Sequence, residues 1–170
     1  METIKVIIEK ADAETEVAKA TDYTGSKLTD GDDNARDRIL AVDEDFAELS
    51  RFWDESALAI NERFKDILVK GEIKESHLEM ISGTVGETLV VHNYGPCYVA
   101  ELEVSKSFDK TLADSVKSTL RSYFIASIIG QWFKFANKSE AGDYLLQAAE
   151  FLDAAERLIY SRRKPRIPNN

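Results

Sequence analysis

The side chains that most often carry chemistry are scarce in this sequence. His77 and His92 are its only histidines, and Cys97 is its only cysteine. The histidines lie in different predicted elements, so they form neither a His-x-x-x-His zinc pair nor a motif-borne general base. Cys97 follows His92 closely across a predicted turn, but no known nucleophile motif surrounds either residue. We therefore expect no catalytic residue, no cofactor and no metal ligand, and a Cys97–His92 enzyme stays an alternative.

Acidic and glycine-containing segments lack the full pattern of a binding loop. Asp30-Gly31-Asp32-Asp33-Asn34 resembles the start of a calcium loop, but the required glycine and glutamate positions hold Ala35 and Ala41. Gly83-Thr84-Val85-Gly86 lacks the lysine of a phosphate-binding loop. Asp43-Glu44-Asp45 precedes a predicted helix, where carboxylates interact favourably with the positive end of the helix dipole. We interpret these segments as a solvated loop, a hairpin entry and a helix cap.

Charge is distributed unevenly along the chain. The net charge is −9, and acids outnumber bases more than two to one in residues 1–60 but only equal them in residues 61–170. The last ten residues contain no acid and four bases: Arg162, Arg163, Lys164 and Arg166. Pro165 and Pro168 prevent a helix there and favour an extended chain. We predict an extended basic arm, residues 161–170, whose four bases contact an acidic protein partner. The acidic body disfavours direct, sequence-specific binding to nucleic acid.

Composition indicates a soluble globular protein. Hydrophobic residues make up 44% of the 170 residues and charged residues 31%, which fits one folded domain over residues 1–160. The single cysteine excludes an intramolecular disulfide and favours a reducing compartment. The N-terminus lacks the features of a signal peptide, and no window approaches the length of a membrane span, so we expect no membrane partner.

Hydrophobic periodicity predicts helices and one strand in the first part of the chain. A β-branched run predicts a strand at a sheet edge over residues 4–8, followed by a helix over 11–20. Turn-forming residues predict a loop with one short helical turn over 21–41. Asp43 caps a predicted amphipathic helix over 43–69, with Trp53 in its apolar stripe and Gly71 as its stop.

The second part of the chain predicts a β-hairpin and two more helices. Within residues 84–104, an apolar run at 89–91 and an alternating segment at 98–104 flank a turn cluster, which predicts a hairpin with one solvent-exposed face. A helix capped by Asp109 or Thr111 follows, with Trp132 in its apolar stripe. A short break separates it from a final helix, and two helices so joined should pack antiparallel.

Together these elements predict a mainly α, α+β fold. It consists of a bundle of three to four helices with an N-terminal strand, a β-hairpin insertion and an extended C-terminal arm. Trp53 and Trp132 are expected to anchor its core.

The sequence also resembles a group of phage proteins. The residues that carry this resemblance are Glu16-Val17-Ala18-Lys19 with Tyr23-Thr24-Gly25-Ser26-Lys27, Asp37-Arg38-Ile39 through Asp43-Glu44-Asp45 to Leu49-x-x-Phe52-Trp53, and Ser127-Ile128-Ile129-x-x-Trp132-Phe133-Lys134 with Arg162-Arg163-Lys164-Pro165. Together they resemble small proteins found among the tail and connector genes of phages and prophages of Bacteroides-type bacteria.

The segment from Asp43 is similar to the opening helix of head-tail connector adaptors, which form dodecameric rings beneath the portal of tailed phages. In that family a helical bundle carries a strand or hairpin insertion, and a C-terminal extension docks onto the portal. The resemblance implies a homo-oligomeric ring in the virion, assembled in the bacterial cytoplasm, with the portal protein and adjacent tail or connector proteins as partners. The predicted N-terminal strand departs from the adaptor pattern.

Two functions therefore stand beside each other at this point. The first is a virion structural protein, a connector or tail ring subunit. The second is a non-enzymatic accessory or regulatory binding module of a phage or mobile element, which recruits another protein through the hairpin. Oligomeric state separates them.

Overall fold

The described part of the chain, residues 1–27, 40–41, 45–82 and 89–162 of a computed structural model, forms five strands and four α-helices. The strands are β1 (Glu2–Glu9), β2 (Leu68–Lys74), β3 (Leu78–Ser82), β4 (Leu89–Asn93) and β5 (Cys97–Val104). The helices are α1 (Lys10–Lys27), α2 (Phe46–Arg63), α3 (Ala113–Ala136) and α4 (Lys138–Ile159), with a 3₁₀ turn at Lys110–Leu112. The predicted α+β class is confirmed.

Strand β5 is the centre of a three-stranded antiparallel sheet with the order β1–β5–β2. The register pairs Ile4 with Leu102 and Val6 with Ala100. Paired side chains share one face of a sheet, and these four face the main hydrophobic core. The predicted N-terminal strand and its position at a sheet edge are therefore confirmed.

Helices α2 and α3 cover this inner face of the sheet. Trp53 of α2 stacks on Phe124 of α3, with ring centroids 4.3 Å apart. Tyr98 of β5 contacts the same Phe124 ring at 5.4 Å, and all three rings are fully buried. Aromatic side chains remove large apolar areas from water, so this cluster is the centre of the core. Trp53 is a core anchor as predicted, whereas Trp132 is only partly buried beside the core.

Helix α1 continues past its predicted end. Thr21 is buried, its hydroxyl donates to the carbonyl of Val17 at 3.0 Å, and it accepts the backbone N–H of Ala41 at 3.1 Å. Threonine satisfies its hydroxyl inside a helix in this way, at the carbonyl one turn earlier. The predicted loop was therefore wrong for residues 21–27, and its part at 28–39 lies outside the described residues.

The predicted helix over 43–69 was too long, because α2 ends at Arg63 and the chain then enters β2. Gly71 is not a helix stop but a strand residue opposite Ala100 of β5. A Cβ added at Gly71 would lie 2.1 Å from Oδ1 of Asn61, so a larger residue there would force the Asn61 side chain to move. The apolar spacing of the residues that follow α2 is compatible with a helix. These residues instead lead into a strand, because β2 pairs with the distant β5. The predicted cap Asp43 lies outside the described residues.

The hairpin in this region uses different strands from those predicted. Strand β4 pairs with β3, placing Met80 opposite Val91, while β5 pairs with β1 and β2. The predicted hairpin within residues 84–104 was therefore wrong. Residues 94–96, with Gly95 at φ 59°, carry the chain from one sheet to the other. The predicted solvent-exposed face was wrong for the first half of β5, where Tyr98 and its neighbour Val99 are buried on opposite faces.

The last two helices form the predicted antiparallel pair. Asp109 accepts the N–H of Thr111 at 3.2 Å and so caps the 3₁₀ turn Lys110–Leu112. The predicted cap of α3 was therefore wrong, because the N-cap of that helix is Leu112, which makes no side-chain cap hydrogen bond. Only Asn137 separates α3 from α4. Phe133 before this break contacts Tyr144 after it, with ring centroids 5.4 Å apart.

The close packing of α3 against α4 predicts opposite effects of two glycine substitutions. A Cβ at Gly130 would lie 2.8 Å from Cγ and Cδ2 of Leu145 and 3.1 Å from its backbone nitrogen, whereas one at Gly142 meets nothing within 4 Å. Gly130→Ala should lower the free energy of unfolding by about 1–2 kcal/mol, because overpacking exceeds the gain in helix propensity. Gly142→Ala should raise it by about 0.5–1 kcal/mol. Urea unfolding of both variants checks this, and equal effects would contradict the described packing.

Candidate interaction surface

The β3–β4 hairpin presents apolar side chains to solvent. Leu78, Met80 and Val91 are 62%, 73% and 58% exposed, and Met80 and Val91 are directly paired. Because side chains alternate along a strand, Leu78 shares their face. We call these three side chains the hairpin face. No charged residue lies at their register positions, since Leu78 is opposite Asn93. Exposed apolar side chains grouped in this way make the hairpin face a candidate interaction surface.

The opposite side of the hairpin is attached to the sheet by polar side chains. Lys5 of β1 donates to Oε1 of Glu79 at 2.6 Å, and its Nζ lies 2.9 Å from Nε2 of His77. The hydroxyl of Tyr94 donates to Oε2 of Glu79 at 3.4 Å. We call these four residues, Lys5, His77, Glu79 and Tyr94, the latch. They fix the hairpin over the outer face of the sheet.

Tyr94 also covers a small apolar cluster on that outer face. The cluster consists of Ile7, Cys97 and Val99, all buried, with Tyr94 packed against them. The backbone supports this position, because the N–H of Tyr94 donates to the carbonyl of His77 at 2.9 Å. The same tyrosine therefore shields the sheet and holds the hairpin.

The geometry argues against a Cys97–His92 catalytic pair. Cys97 is fully buried, and burial raises the pKa of its thiol, which disfavours the reactive thiolate. His92 instead lies 3.7 Å from Oε1 of Glu9, and its ring packs edge-on against Tyr94 with centroids 4.3 Å apart. Within the described ranges, no group of three or more His, Cys, Asp or Glu side chains is placed to hold a metal ion.

The latch carries the clearest electrostatic signature on this surface. The hydrogen bond from Lys5 lowers the pKa of Glu79 below its ordinary value, against the burial that raises it. Burial, followed by the charge of Glu79, raises the pKa of Tyr94. Glu79 is therefore ionised and Tyr94 protonated near neutral pH, which are the states that their hydrogen bond requires.

A second apolar surface lies between the start of α2 and the end of α3. It is a hollow of about 350 Å³ whose walls are Glu48, Arg51, Phe52, Trp132 and Phe135. Phe135 is 71% exposed and stacks on the buried Phe52 with ring centroids 6.4 Å apart. Arg51 pairs with Glu48 at 2.7 Å, so the charges at its rim are balanced. We call this the aromatic hollow. It lies on the helical side of the sheet, opposite the hairpin.

The predicted arm begins at a backbone contact with the body. Arg162 forms an isolated antiparallel bridge with Phe108, and its side chain is exposed. The preceding Ser161 donates its N–H to the carbonyl of Leu158 at 3.1 Å. A cavity of about 570 Å³ adjoins this point, lined in part by Met1, Glu103 and Tyr160. The other predicted arm residues, Arg163, Lys164 and Arg166, lie outside the described residues.

Other sequence predictions can be placed only in part. Asp45 directly precedes α2, while Asp43 and Glu44 lie outside the described residues, as do the acidic segment at 30–34 and the glycine segment at 83–86. Across the described residues, no helix has both the length and the apolar character needed to cross a membrane.

Sequence reasoning missed both apolar surfaces. The alternation of Leu78, Glu79 and Met80 is a strand signal that was available, because apolar and polar residues alternate over one short segment. The exposure of Phe135 had no sequence signal, because its spacing on α3 matches that of buried residues such as Phe124.

Comparison with known proteins finds no match for this chain. No protein-family model matches it, and neither a curated protein nor a solved structure does. The assignment of a function therefore depends on the residues of the chain itself.

The latch predicts a pH dependence that Glu79 controls. The pKa of Glu79 is lowered in the folded chain, so its contribution to stability is complete above the ordinary glutamate pKa and is lost as the pH falls through the lowered value. Glu79→Gln should lower the free energy of unfolding by about 1 kcal/mol near neutral pH. Its difference from the wild type should shrink toward zero between about pH 5 and pH 3.

Urea unfolding across this pH range measures the difference. The matched control is Glu72→Gln on β2, an exposed glutamate that pairs with Lys70 at 3.1 Å and Lys74 at 3.8 Å. An exposed pair of this kind is worth little, so the control should change stability by less than about 0.5 kcal/mol. A Glu79 variant that behaves like this control would contradict the latch.

Proposed function

We propose that this chain is a virion structural protein, a subunit of a head-tail connector, adaptor or tail ring. In this proposal the hairpin face of one copy docks into the aromatic hollow of the next copy. The arm, residues 161–170, contacts the portal or an adjacent tail protein. The resemblance of the sequence to phage connector proteins supports the ring, and the exposed hairpin face is the observation that carries the contact.

The hairpin face suits a second copy of the same acidic chain. Two copies with a net charge of −9 repel each other, and the repulsion is smallest where the contact surfaces carry no net charge. The hairpin face has no charged member, and the rim of the aromatic hollow carries one Arg51–Glu48 pair. Burying large apolar side chains contributes roughly 1.5–3 kcal/mol for each one fully removed from water.

The positions of the two surfaces favour a ring over a two-fold dimer. The hairpin lies over the outer face of the sheet, while the hollow is built by helices on the inner face. The hairpin face of one chain therefore cannot bind in the aromatic hollow of the same chain. A contact between two different surfaces repeats from copy to copy, and it closes into a ring when the rotation allows.

Two single substitutions test this head-to-tail contact. Met80→Asp places a charge in the hairpin face and Phe135→Asp places one in the hollow; an unpaired charge in an apolar contact costs several kcal/mol. We expect the wild type to form a ring and each variant alone to be monomeric. An equimolar mixture of the two should form a heterodimer, because each variant keeps one intact surface. Light scattering coupled to size-exclusion chromatography measures these masses.

The control is Val69→Asp, another exposed apolar strand residue, which should leave the ring intact. A two-fold contact between hairpin faces would give a different pattern, in which Phe135→Asp still dimerises and the mixture forms no new species. A wild-type chain that is monomeric at every concentration would instead favour the accessory binding module, with another protein on the hairpin face.

The arm is tested by truncation after Arg162, which keeps the bridge to Phe108. Deleting residues 163–170 should leave the thermal melt nearly unchanged but abolish incorporation into purified phage particles, because the basic contacts are removed. Quantitative mass spectrometry should find the full chain at about one copy per portal subunit. A full-length chain with Arg163, Lys164 and Arg166 replaced by Gln separates the role of charge from that of length.

Two results would contradict this role. Loss of the cooperative melt after truncation would assign residues 163–170 to the core. Absence of the full chain from particles that contain every other tail protein would favour the accessory module.

A further inference from the structure

The cavity of about 570 Å³ beside Arg162 lies where the last turn of α4 meets the end of β5. Its apolar lining includes Ile67, Val104, Ile159 and Tyr160. Val104 and Ile159 are buried members of the main core and form the floor, whereas Tyr160 is 58% exposed and forms part of the rim. A cavity of this volume with largely apolar walls is typical of a site for a small molecule.

The rim of this cavity carries more positive than negative charge. Lys106 and Arg162 line it together with one acid, Glu103. None of these three side chains forms an ion pair with another described residue, whereas the nearby Lys110 pairs with Glu2 at 3.2 Å. Glu103 balances only one of the two cations, so the rim has an excess positive charge in a chain whose net charge is −9. Lysine and arginine without a protein partner can donate charge-assisted hydrogen bonds to an anion.

Backbone contacts hold both cationic residues at the rim. Lys106 lies inside a turn in which the hydroxyl of Ser105 accepts the N–H of Ser107 at 3.2 Å and its carbonyl accepts the N–H of Phe108 at 2.9 Å. Phe108 in turn forms the antiparallel bridge with Arg162. Since the backbone of both residues is already fixed, a ligand needs to order only the two side chains.

The carboxyl end of α4 does not cancel the attraction for an anion. A helix carries partial negative charge at this end because its last carbonyls lack partners. Here three of those carbonyls are bonded. Glu156 accepts the N–H of Tyr160 at 3.0 Å, Leu158 accepts the N–H of Ser161 at 3.1 Å, and Arg157 accepts the hydroxyl of Ser161 at 2.8 Å.

We propose that this cavity binds a small organic acid, with its anionic group at Lys106 and Arg162 and its apolar body against Val104, Ile159 and Tyr160. The floor removes the apolar body of the ligand from water. The two cations at the rim then select an anion over a neutral or cationic molecule of the same shape.

The chain's own C-terminal residues suit this cavity poorly. Three of the eight residues after Arg162 are basic, namely Arg163, Lys164 and Arg166, and none is acidic. Cations at the rim repel such a segment. An external acid is therefore the better occupant.

The proposed site is distant from the surfaces of the proposed ring. Helix α4 has 22 residues and is therefore about 33 Å long. The cavity lies at its carboxyl end, while Phe135 of the aromatic hollow precedes its first turn. The site does not rest on the proposed assembly, and it is measured on a single chain.

Two fluorescent probes separate the anionic part of this binding from the apolar part. Anilinonaphthalene sulfonate joins one anionic group to an apolar body, and phenylnaphthylamine is the same molecule without the sulfonate. Both are titrated against the full chain carrying Phe135→Asp, so that the aromatic hollow does not take up the probe. We expect saturable binding of one sulfonate probe per chain.

Two variants then test the rim and the wall. Lys106→Gln combined with Arg162→Gln should weaken binding of the sulfonate probe about fivefold and change that of phenylnaphthylamine by less than about twofold. Tyr160→Ser removes an apolar wall and should weaken binding of both probes about threefold. The matched control is Lys134→Gln combined with Lys138→Gln, which removes the same charge at the other end of the α3–α4 pair and should change neither constant by more than about twofold.

Three results would overturn the proposal. Equal weakening of the sulfonate probe by the two double variants would show an effect of net charge alone. Binding that Tyr160→Ser leaves unchanged would place the probe outside this cavity. Deleting residues 163–170 should have little effect, and tightening by about fivefold or more would show that the chain's own arm is the occupant. Circular dichroism of each variant confirms that the fold is kept.

Discussion

The burial of β5 on both faces is the constraint on which the rest of this structure depends. Tyr98 and Ala100 face the helices, while Cys97 and Val99 face the opposite side, and all four are buried. A strand with two apolar faces requires a cover on each, since every large apolar side chain left in water forfeits roughly 1.5–3 kcal/mol. Helices α2 and α3 supply one cover. On the outer face, Tyr94 at the root of the hairpin supplies the other.

This second cover extends over only one end of the sheet. Toward the other end of β5 the outer face carries charged residues, and the register places Glu101 opposite Lys5 on one side and Lys70 on the other. Opposite charges on paired strands stabilise a solvated sheet face without an apolar cover. The hairpin therefore needs to contact the sheet only near its root. On the other face of the hairpin, Leu78, Met80 and Val91 are exposed.

Much of the helical structure could be predicted from local sequence, and most of the sheet could not. Apolar spacing of three and four residues predicted α3 and α4, because each helix buries a stripe that the sequence itself displays. In contrast, β2 was not predicted, and its first two residues, 68–69, were assigned to a helix, because their apolar spacing fits both patterns and pairing with the distant β5 decides between them. The turn cluster before Cys97 was recognised as a chain reversal, but the strand that pairs with β4 comes earlier in the chain.

The candidate surfaces, like the sheet, could be predicted from the local sequence only in part. The basic residues from Arg162 onward are visible in the sequence, because charge patterns need no tertiary structure. Neither the exposure of Met80 nor that of Phe135 can be read in this way, since both occupy positions with ordinary apolar periodicity. His77 and His92 were assigned to no metal or catalytic motif from the sequence. Only the folded structure shows that both histidine rings contact Tyr94, which directly follows β4.

The latch couples the stability of the sheet to the orientation of the hairpin, because Tyr94 contributes to both. Tyr94 packs on Cys97 and Val99 and donates to Glu79, so the hairpin cannot lift without exposing that apolar cluster to water. The free-energy cost of exposing this cluster keeps the hairpin on the sheet, although the interface between them is small. The hydrogen bonds of the latch then determine how firmly the hairpin is held on the sheet. Removing one partner of a part-buried hydrogen bond costs about as much free energy as a small contact of this kind contributes.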